Sequence, residues 1–414
     1  MAQLSDDCFA FGGPLLSVEA AQALILERVA PLGGEEGVPL AAALGRTLAR
    51  ALVAATPLPP FFNSAVDGYA FRHSDLSPGE TQLTLAGRIA AGASGAALAP
   101  GTTARIFTGA PMPPGADTVM MQEDARLEGD ALLLPPGLKP GANARPAGED
   151  VPQGSEALPE GRRLRAPEIG LAAALGFATL PVRPLLRVGV FSTGDELASP
   201  GATLGPAQTF DSNRFTLMAM LARLPVTVTD LGILPDDAAA TTRALHAASA
   251  TQDLLVTSGG VSTGEEDHVR AAIEGAGKLV FWRLAVKPGR PAAMGVVNGV
   301  PMVGLPGNPV AAVVTFLHLV RPLALRLAGA EPEALLRIPA IGQFDYRKKL
   351  GRREYVRVTL RETAEGLLAE KFPREGAGLL TSLTQSHGFA ELEEGVTALS
   401  PGTPIRILPF AAIF

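Results

Sequence analysis

The amino-acid sequence predicts a multidomain α/β plus β protein, built around a doubly wound, mainly parallel α/β domain. The chain has 414 residues, which is more than a single domain usually contains. From Leu185 onward, short apolar runs alternate with helical patterns, and this alternation is typical of a parallel sheet covered by helices. Residues 81–135 and the region after Glu331 instead carry short β-type runs broken by Gly and Pro, which predict two smaller β domains.

Composition excludes several classes of function. Hydrophobic residues make up 47% of the chain, which is enough for sizeable cores. The formal net charge of −6 argues against a nucleic-acid-binding surface as the main function. The single cysteine, Cys8, excludes an internal disulfide framework and a cysteine-based metal cluster.

Neither a secretory signal nor a membrane span is expected. Residues 1–20 contain two aspartates and no basic start, which does not fit a signal peptide. The most apolar stretch, Ala311–Ala330, is interrupted by a histidine and two arginines, so we predict a core helix there. We therefore expect a cytoplasmic protein that binds neither nucleic acid nor membranes.

The N-terminal region has helical patterns on both sides of a β segment. In Ser17–Val29 the apolar residues fall near one face, and Ser17 is a suitable N-cap. Leu40–Ala51 is a second predicted helix, and Ala166–Gly176 is a third. The β segment is therefore inserted between helical pieces.

The stretch 57–70 leads into this β segment. Its prolines set an extended backbone, and Asp67-Gly68 marks a tight turn. The residues alone leave two interpretations open, a stiff linker with a hairpin turn or part of a functional site. The strands predicted next are Thr81–Ile89, Thr102–Phe107, Thr118–Met121 and Ala131–Leu134.

Two polar features of the β segment are candidates for a site. Thr108 and Gly109 directly follow the strand Thr102–Phe107. The loop 141–150 brings Arg145 close to Asp150 in sequence, although charged loops of this kind are most often simply solvated.

The predicted α/β domain alternates strands with helices in chain order. The predicted strands are Leu186–Phe191, Val226–Val228, Leu254–Thr257, Leu279–Trp282 and Met302–Leu305. The predicted helices are Arg214–Leu224, Ala238–Ala250, Val269–Ala276 and Val310–Leu327. In such a sheet, ligands bind at the carboxyl ends of the strands.

The loops at these carboxyl ends are polar or Gly-rich. They are Ser192–Glu196, Pro235–Asp237, Ser258–Asp267, Lys287–Arg290 and Pro306–Pro309. Taken singly, Asp236 or Asp237 can cap its helix, and so can Asn308. Together, five such loops at one sheet edge predict a ligand site.

The Gly-rich loop after Leu254–Thr257 is the central part of this predicted site. Its glycines let backbone N–H groups approach an anion, as in phosphate-binding loops, although a simple turn is the alternative. The acidic residues that follow would repel a bare phosphate, but they fit a divalent cation held between phosphate and carboxylates.

After Glu331 the helical pattern stops. Short predicted strands follow, which indicate a small C-terminal β sandwich or barrel: Arg337–Phe344, Tyr355–Leu360, Gly366–Phe372, Phe389–Leu392 and Thr403–Leu408.

A series of motifs between residues 57 and 312 matches one known family in the family's order. They are PLPPFFNSAVDGYA, RIFTGAPMPPGADTVMMQED, NARPAGED, RVGVFSTGDEL, FDSNR, LGILPDD, TSGGVSTGEED, FWRLAVKPGRP and GLPGNPVAA. With these motifs the chain resembles the MoeA family of molybdopterin molybdenumtransferases, to which the C-terminal domain of gephyrin and part of the plant Cnx-type proteins are similar. The resemblance extends over essentially the whole chain.

The resemblance implies four domains. They are a helical domain made of residues 1–56 and 145–182, an inserted β domain (57–144), a molybdopterin-binding α/β domain (183–330) and a C-terminal β domain (331–414). It also implies an elongated homodimer whose active sites combine the α/β domain of one subunit with other domains of its partner. Other molybdenum cofactor biosynthesis proteins are further candidate partners.

The reaction implied by the resemblance consumes adenylylated molybdopterin and molybdate. Mg²⁺ assists cleavage of the pyrophosphate bond, AMP leaves, and molybdenum is inserted at the dithiolene.

The resemblance also implies site residues. Carboxylates for Mg²⁺ and for orienting water or molybdate are Asp67, Asp150, Glu196, Asp236 and Asp267, of which Glu196, Asp236 and Asp267 are the implied metal ligands. The phosphate and pterin cradle comprises Thr193, Gly194, Ser258, Gly259, Gly260 and Gly264. Positive groups for an oxyanion are Lys287 and Arg290, while Arg353 and Ser382 align with the family's molybdate-facing Arg and Ser. Further implied substrate-binding residues are Thr108, Arg145, Arg283, Pro306, Gly307, Asn308 and Pro309.

Some positions depart from the family pattern, and some questions stay open. Arg283 stands where many members carry Lys, and the two cations differ in donor geometry. His268 occupies a position that is often aromatic in the family. Five carboxylates cannot all bind one metal ion, and the residues do not distinguish molybdate from tungstate.

Two other functions remain as alternatives. One is a molybdopterin adenylyltransferase, whose fold resembles the α/β domain but which needs neither residues 1–180 nor the C-terminal β domain. The other is a gephyrin-like scaffold, which could lose the carboxylates and glycines that this chain retains.

Overall fold

The central α/β domain contains a six-stranded sheet. The computed structural model describes residues 15–234, 237–259, 277–364 and 366–414, with only the backbone for 277–283. The strand order is Val226–Leu234, Leu186–Thr193, Leu254–Ser258, Val300–Leu305, Pro291–Val297 and Gly277–Arg283. The first four strands are parallel, and the last two add antiparallel pairings at one edge. The mainly parallel sheet is therefore confirmed.

Helices cover this sheet close to their predicted bounds. They are Asn213–Leu221, Ala238–Ser249 and the long segment Pro309–Leu327. The predicted helix Val269–Ala276 lies outside the described residues. The strand Pro291–Val297 was not predicted; it forms a hairpin with Val300–Leu305, turned by Asn298 and Gly299 at positive φ.

The long segment Pro309–Leu327 is the main core helix. It is α-helical at both ends, with a π-helical turn at Phe316–Val320. By length and composition it could cross a membrane, but 83% of its most apolar window is buried inside the protein. This burial confirms the prediction of a core helix.

The π-helical turn holds a buried histidine. His318 is 1% exposed, and its ring stacks against Tyr355 with centroids 5.1 Å apart. Within the described residues, neither of its ring nitrogens has a hydrogen-bond partner. Burial lowers the pKa of His318 to about 4, so the imidazole is neutral at neutral pH.

The first helix, Val18–Arg28, packs onto the α/β domain. Ser17 caps it by accepting a hydrogen bond from the backbone N–H of Ala20. Its apolar side chains share one hydrophobic cluster with the central sheet, the long helix and the C-terminal domain. The prediction grouped residues 1–56 into one helical domain. The first helix instead buries its apolar face against the α/β and C-terminal domains.

The second predicted helix, Leu40–Ala51, is wrong. Only Leu40–Ala42 forms a short 3₁₀ helix, and the chain then turns at Gly45, where φ is +77°. Leu48 donates its N–H to the carbonyl of Arg162 across the domain, so it cannot continue a helix. The surrounding pairs of short strands are Glu36–Pro39 with Thr179–Val182 and Leu52–Val53 with Glu156–Leu158, beside the helix Ala166–Ala174.

The inserted β domain is a second six-stranded sheet, as predicted. Its strand order is Thr118–Met121, Gly68–Phe71, Thr102–Ile106, Thr81–Ile89, Ala131–Leu134 and Arg126–Glu128. A two-stranded ladder of Asn63–Ser64 with Ala144–Arg145 joins the beginning and end of the insertion. This ladder brings stretch 57–70 beside loop 141–150.

The C-terminal domain is a barrel, one of the two predicted forms. Its sheet closes because Arg353–Thr363 pairs with both Gly366–Lys371 and Gly388–Leu392. Ile338–Gly342 and Thr403–Pro409 complete the ring. A closed sheet has no free edge within the ring.

One short strand joins the barrel to the α/β domain. Val286–Lys287 lies in the connection between the central-sheet strands Gly277–Arg283 and Pro291–Val297, and it pairs in parallel with Arg353–Glu354 at the start of the longest barrel strand. The backbone N–H of Arg353 also donates to the carbonyl of Ala285 at 2.7 Å. These bonds fix the barrel against the edge of the sheet domain.

We expect His318→Phe to reduce the loss of stability on acidification. The unfolded histidine has a pKa near 6.5, whereas the folded one titrates at about 4. Between these values the unfolded state binds a proton that the folded state does not, so stability falls as pH decreases. At about pH 5 this costs the protein roughly 2 kcal/mol. Phenylalanine retains the contact with Tyr355 and does not titrate.

The measurement is calorimetric melting of both proteins at about pH 7.5 and about pH 5. The drop in melting temperature should be smaller in His318→Phe. The exposed His246 supplies the control, since His246→Gln should follow the unmodified protein. Equal pH sensitivity of His318→Phe and the unmodified protein would contradict the expectation.

Candidate active site

A cavity of about 260 Å³ lies at the carboxyl ends of the parallel strands. Three neighbouring strand ends line it through Thr193, Ser258 and Gly307. Glu196, Gly259 and Pro309 also line it, as do Gly378 and Leu380 from the C-terminal domain. The structure therefore brings residues of three of the five predicted loops together at one place.

Two glycines at this edge allow close approach of backbone segments. Gly259 has a φ of +92°, and a Cβ there would lie 2.8 Å from the carbonyl oxygen of Thr193. Gly194 has a φ of +142°, and its Cβ would lie 2.4 Å from the carboxylate of Glu196. At Gly259 the fixed backbone oxygen excludes a side chain, whereas at Gly194 the Glu196 side chain can move and it is the positive φ that favours glycine.

Asn213 connects two walls of the cavity. Its amide nitrogen donates to Ser258 Oγ at 2.8 Å and to the carbonyl of Gly307 at 2.7 Å. The motif FDSNR signalled this region, but Asn213 was not among the predicted site residues. Its side chain holds the Gly-rich strand end against the loop that precedes the long helix.

Several buried polar atoms around the cavity lack partners. Within the described residues, Ser192 Oγ, Thr193 Oγ1, Thr257 Oγ1 and Asn213 Oδ1 make no hydrogen bond. Buried polar groups are usually paired, so unpaired ones at a cavity wall suit a polar ligand or small shifts on binding.

The structure describes some of the other predicted site residues in these loops. Pro306 accepts a weak hydrogen bond from Ser258 Oγ at 3.4 Å through its carbonyl. Asn308 occupies the helix N-cap position without a side-chain capping bond, whereas Asp237 caps its helix by accepting from Ala240 N–H. Arg290 is exposed. Asp236, Gly260, Gly264 and Asp267 lie outside the described residues, and only the backbone of Arg283 is described.

Asp67 and Thr108 form a defined pair in the inserted β domain. Asp67 Oδ1 accepts from both the backbone N–H and the hydroxyl of Thr108, each at 2.8 Å. These bonds, the backbone one foremost, lower the pKa of Asp67, so its carboxylate is ionised at neutral pH. The predicted tight turn therefore carries an oriented carboxylate.

Arg145 and Asp150 are exposed near the ladder that closes the insertion. The backbone N–H of Asp150 donates to the carbonyl of Leu58. Across the described part of the chain, no three His, Cys, Asp or Glu residues are grouped closely enough to hold a metal ion. The described carboxylates Asp67, Asp150 and Glu196 thus do not form such a group.

A second, smaller cavity of about 130 Å³ lies between the α/β domain and the barrel. Four cationic side chains line it, contributed by Lys287, Arg357, Lys371 and Arg374. One acidic residue, Glu375, also lines it and pairs with Lys371 at 2.8 Å. The excess of positive charge in a small space suits an inorganic anion better than a large organic ligand.

Arg357, not Arg353, lies beside Ser382. Arg357 Nε donates to Ser382 Oγ at 3.1 Å, and its Nη2 donates to the carbonyl of Gly376 at 3.0 Å. Burial lowers the pKa of Arg357, but an arginine remains charged. The two predicted residues Arg353 and Ser382 are therefore not adjacent, and it is Arg357 that contacts Ser382.

Arg353 lies at a different cavity. It is 8% exposed and contacts the carboxylates of Glu19, Glu391 and Glu394. That cavity has a volume of about 530 Å³ and lies between the first helix, the long helix and the barrel. This cavity is thus separate from the two cavities described above, and Arg353 belongs to its wall.

A short loop separates the two cavities of the candidate site. Gly376 and Ala377 line the cationic cavity, while Gly378 and Leu380 line the cavity at the strand ends. The loop is held at the start of the long helix, because Val310 donates its N–H to the carbonyl of Ala377. An anion in one cavity would therefore lie beside a ligand in the other.

Comparisons with protein families cover most of the chain. Residues 16–176 match the MoeA N-terminal region, 189–326 match a probable molybdopterin-binding domain, and 339–410 match the MoeA C-terminal region.

Individual relatives match over nearly the full length. A molybdopterin molybdenumtransferase of Haemophilus influenzae is 38% identical over 96% of this chain and 99% of its own. A molybdopterin molybdenumtransferase 2 of Mycobacterium tuberculosis is 36% identical over 89% of this chain and 94% of its own.

The fold agrees with these sequence matches. A crystal structure of a molybdopterin biosynthesis MoeA protein from Pyrococcus horikoshii superposes with a TM-score of 0.80 at 28% identity. It covers 95% of this chain and 99% of its own. On the family matches, the full-length relatives and the shared architecture, the chain belongs to the MoeA family of molybdopterin molybdenumtransferases.

Proposed function

We propose that this chain inserts molybdenum from molybdate into adenylylated molybdopterin and releases AMP in a Mg²⁺-dependent reaction. Membership of the family makes the chain a transferase of molybdenum cofactor biosynthesis. The observation that supports the detailed reaction is the pair of adjoining cavities. One has a Gly- and hydroxyl-rich wall and the other is cationic, and the loop Gly376–Leu380 contributes to the walls of both.

The cavity at the strand ends is the proposed site for the pterin nucleotide. Thr193, Ser258 and Gly259 offer hydroxyls and accessible backbone to phosphate and pterin groups without adding positive charge. Gly194, Pro306, Gly307, Asn308 and Pro309 are proposed to shape the same wall. Such neutral donors orient a phosphate through hydrogen bonds, while a metal supplies charge compensation.

The cationic cavity is the proposed molybdate site. Molybdate is a tetrahedral dianion, and a cavity of about 130 Å³ has room for a small oxyanion. Lys287 contributes a compact ammonium, and Arg357 contributes a planar guanidinium held in place by Ser382. Fixed cations of this kind bind oxyanions through charge-assisted hydrogen bonds.

Carboxylates are the proposed Mg²⁺ ligands. The exposed carboxylate of Glu196 lies at the strand-end cavity, and carboxylate oxygen is the ligand type that Mg²⁺ prefers. Asp236 and Asp267 are proposed as the other ligands. When bound, Mg²⁺ would neutralise the pyrophosphate and favour departure of AMP.

A homodimer is proposed to complete the active site. The ionised Asp67 and the exposed Asp150 belong to the inserted β domain or its border, while Glu196 lies on the α/β domain. The described carboxylates do not converge within one subunit. Assembly across a two-fold axis would bring Asp67, Thr108, Arg145 and Asp150 to the partner's cavity.

We expect Lys287→Ala and Arg357→Ala each to raise the molybdate concentration needed for half-maximal insertion by roughly tenfold. Each removes one charge-assisted hydrogen bond, which contributes about 1.5–3 kcal/mol. Binding of adenylylated molybdopterin should change far less, because its proposed contacts lie in the other cavity. Insertion rates over a molybdate series and calorimetric pterin binding measure the two effects.

Two variants on the same barrel strand serve as controls. Arg361→Ala removes an exposed arginine paired with Glu370, and it should leave the molybdate dependence unchanged. Arg353→Ala should lower the melting temperature by removing one cationic partner of the buried Glu391, again without changing the molybdate dependence. A large shift for Arg353→Ala and none for Arg357→Ala would reverse the assignment.

We expect two inactive variants to restore activity when they form mixed dimers. Asp67→Asn and Glu196→Gln should each abolish most turnover alone. After the two are mixed and subunits exchange, half of the dimers are mixed, and one of the two sites in each mixed dimer is intact. The mixture should therefore recover about a quarter of the normal rate.

The matched control mixes Asp67→Asn with Asp150→Asn. Both residues are proposed to reach the partner's site from the same side, so each mixed dimer has two defective sites and activity should stay low. Light scattering that detects only monomers at micromolar protein, or equal activity from both mixtures, would exclude the shared site.

A further inference from the structure

Glu354 is a buried carboxylate at the rim of the cationic cavity. It is 1% exposed. Arg352 Nε donates to its Oε1 at 2.7 Å, and the hydroxyl of Tyr346 donates to its Oε2 at 2.7 Å. Lys287 Nζ lies 3.3 Å from the same Oε2. A buried carboxylate needs such partners, and here two of them, Lys287 and Tyr346, line the cationic cavity.

The backbone brings Lys287 and Glu354 together. In the parallel pairing of Val286–Lys287 with Arg353–Glu354, these two residues are register partners. The connection between two edge strands of the central sheet is thus held to the barrel by its backbone and by one side-chain ion pair. Lys287 remains half exposed, so its ammonium also faces the cavity.

Tyr346 forms the second part of this arrangement. Its ring lies between two ammonium groups, with Lys287 Nζ 5.9 Å and Lys371 Nζ 5.6 Å from the ring centroid. Burial, with help from the hydrogen bond to Glu354, raises the pKa of the Tyr346 phenol well above its ordinary value. The phenol therefore stays protonated and continues to donate to Glu354.

We propose that Glu354 is a positioning residue for the oxyanion, which holds the ammonium of Lys287 at the rim of the cationic cavity. This inference rests on the proposed molybdate site. A lysine ammonium has three donors. One directed at Glu354 leaves two for an oxyanion, and the pairing restricts an otherwise flexible side chain. Tyr346 supports Glu354 by bonding the oxygen that Lys287 approaches.

The negative charge of Glu354 by itself would have the opposite effect on anion binding. Glu354 is a negative charge near a bound dianion, so its removal would strengthen anion binding if charge alone mattered. If Glu354 instead fixes Lys287, its removal should weaken binding. The sign of the change in the molybdate dissociation constant therefore distinguishes the two roles.

The test compares Glu354→Gln with Glu391→Gln in the full-length protein. Glu391 is a second buried carboxylate of the barrel, and it accepts from Arg337 and from the Tyr355 hydroxyl much as Glu354 accepts from Arg352 and Tyr346. Molybdate itself is the probe, titrated by calorimetry into each protein without pterin. We expect roughly tenfold weaker binding in Glu354→Gln and less than twofold change in Glu391→Gln.

Two further measurements keep the result interpretable. Tyr346→Phe, which keeps the ring and loses the hydroxyl, should weaken molybdate binding two- to threefold even if Glu354→Gln folds poorly. Acylation of Lys287 by an amine-reactive reagent, followed by mass spectrometry, should be faster in Glu354→Gln because the amine is no longer held.

The outcomes separate this inference from the function on which it rests. Unmodified protein that neither binds molybdate nor inserts molybdenum would overturn the proposed function and this inference with it. Normal binding by the unmodified protein, with equal or tighter binding by Glu354→Gln and unchanged acylation of Lys287, would overturn only the positioning role.

Discussion

The pairing of Val286–Lys287 with Arg353–Glu354 is the constraint on which the arrangement of the site depends. This short parallel ladder attaches the barrel directly behind the edge of the central sheet. Once the barrel is attached there, its loop Gly376–Leu380 reaches the start of the long helix and closes the cavity at the strand ends. Both cavities are therefore products of one interdomain contact, although each uses residues from distant parts of the chain.

In the proposed function, the two cavities divide the electrostatic requirements of the chemistry. At the strand ends, close backbone approach at Gly259 and hydroxyl groups provide neutral donors beside an acidic residue, Glu196. In the cationic cavity, lysines and arginines outnumber the one lining carboxylate. Because opposite charges in one small space would neutralise each other, separation by a loop lets an oxyanion and a metal-binding group remain close without competing.

The hydrophobic core also joins the sheet domain to the barrel, and it contains one buried polar side chain without hydrogen-bond partners among the described residues. The first helix, the central sheet, the long helix and the barrel share one cluster of buried side chains, so their relative positions are fixed by packing. His318 lies within this junction with both ring nitrogens unpaired, a cost that its contact with Tyr355 only partly offsets. Tyr355 also lines the cationic cavity, so the core extends directly to the wall of the site.

The sequence alone determined the parts of the protein that depend on local pattern. Apolar runs that alternate with helical patterns predicted the central sheet, and the motifs between residues 57 and 312 predicted the family. Both signals depend only on residues that are close together in the sequence. The local pattern wrongly predicted a helix at Leu40–Ala51. A turn at Gly45 and backbone hydrogen bonds to residues distant in sequence are found there instead. Only the tertiary structure distinguished Arg353 from Arg357. These residues are four positions apart on one strand, so their side chains lie on the same face, and either guanidinium suits an anion. Contacts within the folded C-terminal domain distinguish them, because Arg353 pairs with Glu391 and Glu394 while Arg357 donates to Ser382.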